Sequence, residues 1–151
     1  MQLPDQNNTL FSEAAHILGS YAIGLTGGAL CAPALDRIFT RYSSLQSFEG
    51  PMLKPYGISP AIRYGALGVS LVDALSNIGT SMYDKARGEN QDGIEAAEKG
   101  SISAAIGIGG MVLSYYNLGP VSSVATTAIG MLSPLISSAA VYALNPHSLD
   151  R

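Results

Sequence analysis

The segment from Ala14 to Leu35 reads AAHILGSYAIGLTGGALCAPAL and contains no Asp, Glu, Lys or Arg. Its length of about 22 residues is close to the roughly 20 that an α-helix needs to cross a bilayer core about 30 Å thick. Charge is also scarce in the chain as a whole, because 13% of its 151 residues are charged, against about 25% in an ordinary soluble domain. These properties favour a membrane protein over a typical soluble enzyme.

Three further segments carry little charge. They run from Ile62 to Tyr83, from Ser101 to Asn117 and from Pro120 to Leu144, and they range from about 17 to about 25 residues in length. A chain of this length forms one domain by the usual size range of domains. We therefore predict an all-α, polytopic membrane protein in which four transmembrane helices form a single domain over residues 1–151.

Cap residues predict where three of the helices begin. Ser59–Pro60 and Gly119–Pro120 each place a proline at a first helical position, which predicts the starts of the second and fourth helices. Asp92–Glu95 has the spacing of a capping box, which predicts that the third helix starts outside the membrane. The first helix is expected to end near Pro33, and Tyr42–Ser59 is expected to be a loop.

Small residues recur every fourth position in each predicted span, and this spacing places them along one side of a helix. Helices in a bilayer gain from close backbone approach, which small side chains permit. The sequence therefore predicts a tight bundle with glycine-zipper packing. Its expected contact residues are Ser20, Gly24, Gly28, Ala32, Gly65, Gly107, Thr126 and Gly130.

Asp73 lies well inside the second predicted span, where burial of an ionisable group is expensive and often functional. It could line a polar path or pair with a Lys or Arg of a neighbouring subunit. Alternatively, it could be neutral or bonded to a hydroxyl such as that of Ser70 or Ser76, or to one on another helix. Asn77, one turn further on, is the second intramembrane polar candidate.

Chemical function has little support in the sequence. With 11 acidic against 8 basic residues, the chain offers no basic surface for nucleic acid. Cys31 is the single cysteine, and no Gly-x-Ser-x-Gly elbow occurs, so neither a cysteine-based metal cluster nor a hydrolase triad is indicated. His16 and His147 are expected to be solvated at the membrane interface. We predict a protein that is not an enzyme and has no catalytic residues, cofactor, metal or small-molecule substrate.

The predicted topology is two helical hairpins, the first with a long loop and the second with a tight turn at Asn117–Gly119. Four basic residues lie in or next to the first loop, namely Arg37, Arg41, Lys54 and Arg63. The positive-inside rule then places that loop on the matrix or cytoplasmic side. Both termini and a charged middle loop between the second and third helices are expected on the opposite side.

Four short motifs carry a resemblance to a known family. They are GLTGG at Gly24–Gly28, YDKAR at Tyr83–Arg87, GSISAA at Gly100–Ala105 and YNLG at Tyr116–Gly119. Together with the four spans, they resemble the mitochondrial inner-membrane translocase channel family, which also contains an accessory subunit of respiratory complex I. The resemblance covers about Gly19–Ala143.

This resemblance implies a multi-pass protein of the mitochondrial inner membrane whose partners are lipids and the other membrane subunits of a large complex. Family members that conduct proteins carry acidic groups near the ends of their spans, where this chain has Asn77. The compact accessory subunit of complex I is therefore the expected function. The alternatives are a subunit of a protein-translocase channel and another small channel or pore-forming membrane protein.

Overall fold

The computed structural model describes residues 6–45, 58–115 and 120–145, and within these ranges the chain forms α-helices and no strand. The prediction of an all-α protein is therefore confirmed. The helices are α1 (Gln6–Leu45), α2 (Pro60–Arg87), α3 (Asn90–Tyr115), α4 (Pro120–Met131) and α5 (Ser133–Leu144).

Helices α1 and α2 run antiparallel in very close contact, and glycines of α1 permit it. A Cβ atom at Gly24 would lie 2.5 Å from the Cα of Val69. A Cβ atom at Gly28 would overlap the carbonyl oxygen of Tyr64. No side chain fits at either position, so the two backbones touch directly.

Helices α2 and α3 form a hairpin with a two-residue turn. Gly88 adopts a left-handed conformation with φ of 86°, which glycine reaches without a steric penalty, and its N–H bonds the carbonyls at the end of α2. The predicted charged middle loop is therefore only two residues long, and of its charged residues Glu89 alone lies between the helices, while the others lie on the helix ends. Helix α3 also begins at Asn90, two residues before the predicted cap Asp92.

Other boundaries agree in part with the sequence. Helix α2 begins at Pro60, where the Ser59 hydroxyl accepts the Ile62 N–H at 3.4 Å, and α4 begins at Pro120, both as predicted. The predicted end of the first helix is wrong, because α1 continues through Pro33 to residue 45. A proline removes only one backbone donor, so a helix can continue through it when the surrounding residues favour helix.

The fourth predicted span is broken. Helices α4 and α5 meet at Leu132 with a bend of 65°. Pro134 is the cause, because it has no N–H for the carbonyl of Gly130 and its ring clashes with that carbonyl in a straight helix. The predicted turn at residues 117–119 and the position of His147 lie outside the described residues.

Carbonyl groups at this break are bonded by side chains from the first two helices. The Ser70 hydroxyl on α2 donates to the carbonyl of Gly130 at 3.1 Å. The Tyr21 hydroxyl on α1 donates to the carbonyl of Met131 at 2.6 Å. Buried carbonyls without partners cost free energy, so these two bonds make the bend tolerable inside the bundle.

By length and apolar composition, one helical segment in the described part of the chain could cross a membrane. This segment is Phe11–Ile38 of α1, and most of it is exposed on the outside of the protein. The bent pair Val124–Met131 and Ser133–Leu144 passes the same test jointly, which gives two candidates if the pair is one span.

The distribution of side chains departs from that in a typical water-soluble protein. Large apolar side chains are exposed on every helix, including Phe11, Leu30, Leu75, Ile108, Ile129 and Leu135. The buried polar or charged residues are Ser20, Ser70, Asp73, Asn77, Ser81, Ser103, Ser133 and Ser137. Polar groups therefore share the interior of this bundle with apolar ones such as Val69 and Val141, and many large apolar side chains lie on its outside.

Candidate functional site

Asp73 is the centre of a buried polar cluster that joins four helices. It lies on α2 and is 1% exposed. Ser20 on α1 donates to Oδ1 at 3.4 Å, Ser137 on α5 donates to Oδ2 at 3.3 Å, and Ser103 on α3 donates to Oδ2 as well. Both carboxylate oxygens therefore accept hydroxyl donors from other helices.

The sequence left open that Asp73 bonds to a hydroxyl on another helix, and the structure has this arrangement. The two serines named as examples bond elsewhere. Ser70 donates to the carbonyl of Gly130, and Ser76 lies 3.0 Å from the Nε2 atom of His16. The hydroxyl partners of Asp73 therefore lie on other helices and not on α2 itself.

His16 completes the cluster. Its Nε2 atom lies 3.3 Å from Oδ1 of Asp73, and its side chain is 28% exposed. The sequence suggested a solvated histidine at the interface, whereas the structure places it against a buried carboxylate. The register of α1 on α2 explains this position, since Gly24 lies beside Gly68 and the same antiparallel register brings His16 level with Ser76.

Asn77 does not join the cluster through its side chain. Its amide donates to the carbonyl of Asp73 at 2.9 Å, which is a bond within α2. The residue is nevertheless buried. One donor of its side-chain amide is therefore used within α2.

The small residues predicted to pack in α1 and early α2 lie where these helices meet. Gly24 and Gly28 contact the backbone of α2, and Ala32 is buried. A Cβ atom at Gly65 would lie 3.2 Å from the Cδ2 atom of Leu25. Ser20 differs from the others because its hydroxyl, and not only its small size, contributes to the contact.

The small residues predicted in the last spans lie around the middle of α2. A Cβ atom at Gly107 would lie 3.1 Å from the Cβ of Ser70, and one at Gly130 would lie 3.4 Å from the Cβ of Ala66. Thr126 is half-buried and faces Gly110 of α3, whose added Cβ would lie 3.8 Å from the Thr126 carbonyl oxygen.

A second polar network, which the sequence did not suggest, lies near the start of α1. Lys99 on α3 forms an ion pair with Glu13 at 2.9 Å, and Tyr142 on α5 donates to the same carboxylate. The Lys99 ammonium also lies 4.8 Å from the centre of the Tyr142 ring. One residue before Lys99, Glu98 accepts a bond from Asn145 at 3.0 Å. Glu13 lies 86 positions from Lys99 and 129 from Tyr142, so no local pattern could indicate this contact.

Each of the two networks connects side chains from several helices and so holds those helices together. The described residues contain no group of three or more His, Cys, Asp or Glu side chains that could hold a metal ion. Comparisons with protein-family models, with curated proteins and with solved structures give no match.

Proposed function

We propose that the chain crosses a membrane four times, with α1, α2, α3 and the bent pair α4–α5 as its spans. The exposed large apolar side chains and the buried polar ones support this proposal. Exposed apolar side chains are unfavourable in water but match hydrocarbon, and buried serines and Asp73 are unfavourable next to lipid but can bond one another inside a bundle.

Helix α2 illustrates why apolar composition alone does not mark every proposed span. Its exposed residues include Leu71, Leu75 and Met82, which suit lipid. Its buried residues include Asp73 and Asn77, which lower the average apolar character of the helix. In a bundle with a polar interior, the side that faces lipid is the informative one.

We further propose that the protein is a structural subunit without catalytic activity. The observation that carries this proposal is the closed cluster around Asp73. Its carboxylate is almost fully buried and is surrounded by donors from α1, α3 and α5 of the same chain. The Asp73 carboxylate therefore holds these helices together, because its hydrogen bonds are made to donors within the same chain.

The host complex that we propose is respiratory complex I of the mitochondrial inner membrane. The motifs between Gly19 and Ala143 support this choice, because they resemble the family that includes an accessory subunit of that complex. The apolar outside of the bundle suits contacts with lipids and with other membrane subunits.

A protein-translocase channel subunit, or another small channel, is the second candidate. The bend at Leu132 favours it, because discontinuous helices often border binding sites in transport proteins. The carbonyls beside this bend are, however, bonded by Ser70 and Tyr21, as described above. A water-accessibility scan with single cysteines on α2 and on α4–α5 separates the candidates. A channel gives a labelled stripe through the bundle, whereas a structural subunit gives protected inward positions.

The proposed subunit role is tested by gentle detergent extraction of mitochondria, a native gel and mass spectrometry of the co-migrating proteins. We expect redox subunits of complex I in the same band, and loss of the chain should reduce the yield of that band. A homo-oligomer of this chain without redox subunits would contradict the proposal.

A further inference from the structure

The two polar networks of the bundle lie one helical turn apart. The outer network, nearer the α2–α3 turn, contains three side chains that contact one another: Glu13, Lys99 and Tyr142. On α1, Glu13 is three residues from His16, which contacts Asp73. On α3, Lys99 is four residues from Ser103, which donates to Asp73. Side chains three or four residues apart lie on the same side of a helix, so polar groups follow one another from the outer network to Asp73.

Helix α5 connects the two networks a second time. Ser137 donates to the Asp73 carboxylate at 3.3 Å. The next residue, Ser138, forms a hydrogen bond with the Glu13 carboxylate. Adjacent residues of one helix therefore bond the two carboxylates, and hydroxyl groups lie between them on α5 as well.

The outer network is accessible from the end of the bundle that carries the α2–α3 turn. The side chains of Glu13 and Lys99 are 21% and 17% exposed, and they lie about 10 to 14 Å along their helices from the starts of α1 and α3. Asp73 is deeper, roughly 20 Å along α2 from Arg87. A proton that enters at this end therefore meets Glu13 before it meets the Asp73 cluster.

The opposite direction along α2 is different. On the buried face of this helix, the nearest titratable side chain towards Pro60 is Tyr64, nine residues from Asp73. Between them lie the buried residues Ala66 and Val69, and the backbone of α1 touches α2 at Val69. This direction therefore offers a proton no titratable group on the buried face of α2 before Tyr64.

His16 is the titratable side chain in contact with Asp73, and the pair of them is the one ion pair that Asp73 forms within the described ranges. Helix α1 also brings Tyr21 near Asp73, but its hydroxyl donates to a backbone carbonyl, and tyrosine titrates only in alkaline solution. Helices α3 and α5 face Asp73 with serines, and their nearest titratable residues belong to the outer network. The described residues of α4 include no titratable side chain.

Resting on the four-span proposal, we infer that His16 and Asp73 form a proton-binding site that is filled from the α2–α3 turn side through Glu13. A proton leaves water for a carboxylate oxygen of Glu13 and passes to the imidazole of His16. From Nε2 it passes to Oδ1 of Asp73, 3.3 Å away. Each step breaks one O–H or N–H bond and forms another, and the reverse sequence returns the proton to water. Histidine suits the middle position because it exchanges protons near neutral pH.

Time-resolved infrared spectroscopy tests the inference on the chain reconstituted in phosphatidylcholine vesicles. The carbonyl stretch of protonated Asp73 is the part of the wild-type signal that Asp73→Asn removes. We expect this band to rise after a rapid drop in pH and to fall again when the pH is restored. A spectrum in which Asp73→Asn removes no band that depends on pH would overturn the inference.

Two variants test the route. Glu13→Gln and His16→Asn keep polar groups of similar size, and each should slow the rise of the Asp73 band about 100-fold, since a positioned proton donor contributes about 10² to 10⁴ in rate. A merely structural role would instead change helix content, measured by circular dichroism, or the final height of the band. Equal rates in wild type and both variants would contradict the route through Glu13.

Two further variants serve as controls. Glu95→Gln removes the same charge as Glu13→Gln from the first half of α3, and Tyr64→Phe removes the nearest titratable group on the other side of Asp73. Neither should change the rate. Slowing by Tyr64→Phe but not by Glu13→Gln would place the entry at the opposite end and overturn the inference.

Membrane insertion is measured separately by carbonate extraction of every variant. If the wild-type chain is released by carbonate, the four-span proposal itself fails. If the chain stays in the membrane and Asp73 binds no proton, only the inference of a proton-binding site fails.

Discussion

Replacing Gly28 by alanine adds a single methyl group at the tightest contact between α1 and α2. The new Cβ would overlap the carbonyl oxygen of Tyr64, which belongs to a helix backbone and cannot rotate away. Helix α1 would have to move by about 1 Å to restore an ordinary contact, and overpacking of this kind costs about 1 to 3 kcal/mol. Gly27→Ala makes the same chemical change one residue earlier, where nothing lies within 4 Å of the added atom. Alanine there should stabilise the helix by about 0.5 to 1 kcal/mol.

The assay is reversible unfolding of the purified protein in mixed micelles, with helix content followed by circular dichroism as the denaturing detergent increases. The free energy of unfolding should be about 1 to 3 kcal/mol lower for Gly28→Ala than for Gly27→Ala, because the gain from replacing a helical glycine is common to both variants. On native gels of the membrane complex, Gly28→Ala should also reduce the incorporated fraction. Equal stability of the two variants would refute the direct backbone contact between α1 and α2.

Three further predictions follow from the polar contacts and from the proposed topology. Asp73→Asn should assemble nearly as wild type, because an amide can accept on one side and donate on the other. Asp73→Leu leaves several buried donors unpaired and should cost about 3 kcal/mol or more in unfolding experiments, and equally severe loss in both variants would instead indicate a required charge. Tyr21→Phe should lower unfolding free energy by about 1 to 3 kcal/mol because it removes a donor from a buried carbonyl, and an unchanged value would show that the carbonyl is bonded otherwise. In a Cys31→Ser background, a cysteine at Gln91 should react with an impermeant thiol reagent added to mitoplasts, and one at Ser47 should not; equal labelling would contradict the proposed orientation.

The helical class and two helix starts could be predicted because their causes are local. A serine followed by proline at residues 59–60 specifies a cap within one turn, and the long uncharged segment of α1 specifies its own helix. Pro33 and Pro134 show the limit of such reasoning. The same residue type continues one helix and breaks another, and the difference at Pro134 depends on side chains from α1 and α2 that bond the freed carbonyls.

Of the candidate site, only the central residue, Asp73, could be predicted from the sequence. Asp73 is conspicuous as a carboxylate inside a long segment with little charge, but its partners are separated from it by 30 to 64 positions. Single serines on other helices carry no signal of their own, because the same residue type also packs as a small side chain. The partners follow only once the register of each helix on α2 is known.

That register links the packing residues to the polar cluster. Glycines at 24 and 28 allow α1 to approach α2 so closely that the short side chain of Ser20 reaches the Asp73 carboxylate. At an ordinary separation of about 8 to 10 Å between helix axes, the short side chain of Ser20 would lie too far from the Asp73 carboxylate for this hydrogen bond. The glycines and the buried acid therefore act together, because the close approach permits the hydrogen bond and the hydrogen bond compensates for burying an ionisable group inside the bundle. A substitution that separates α1 from α2 should consequently weaken the polar cluster as well, so Gly28→Ala and Ser20→Ala should cost less in combination than the sum of their separate effects.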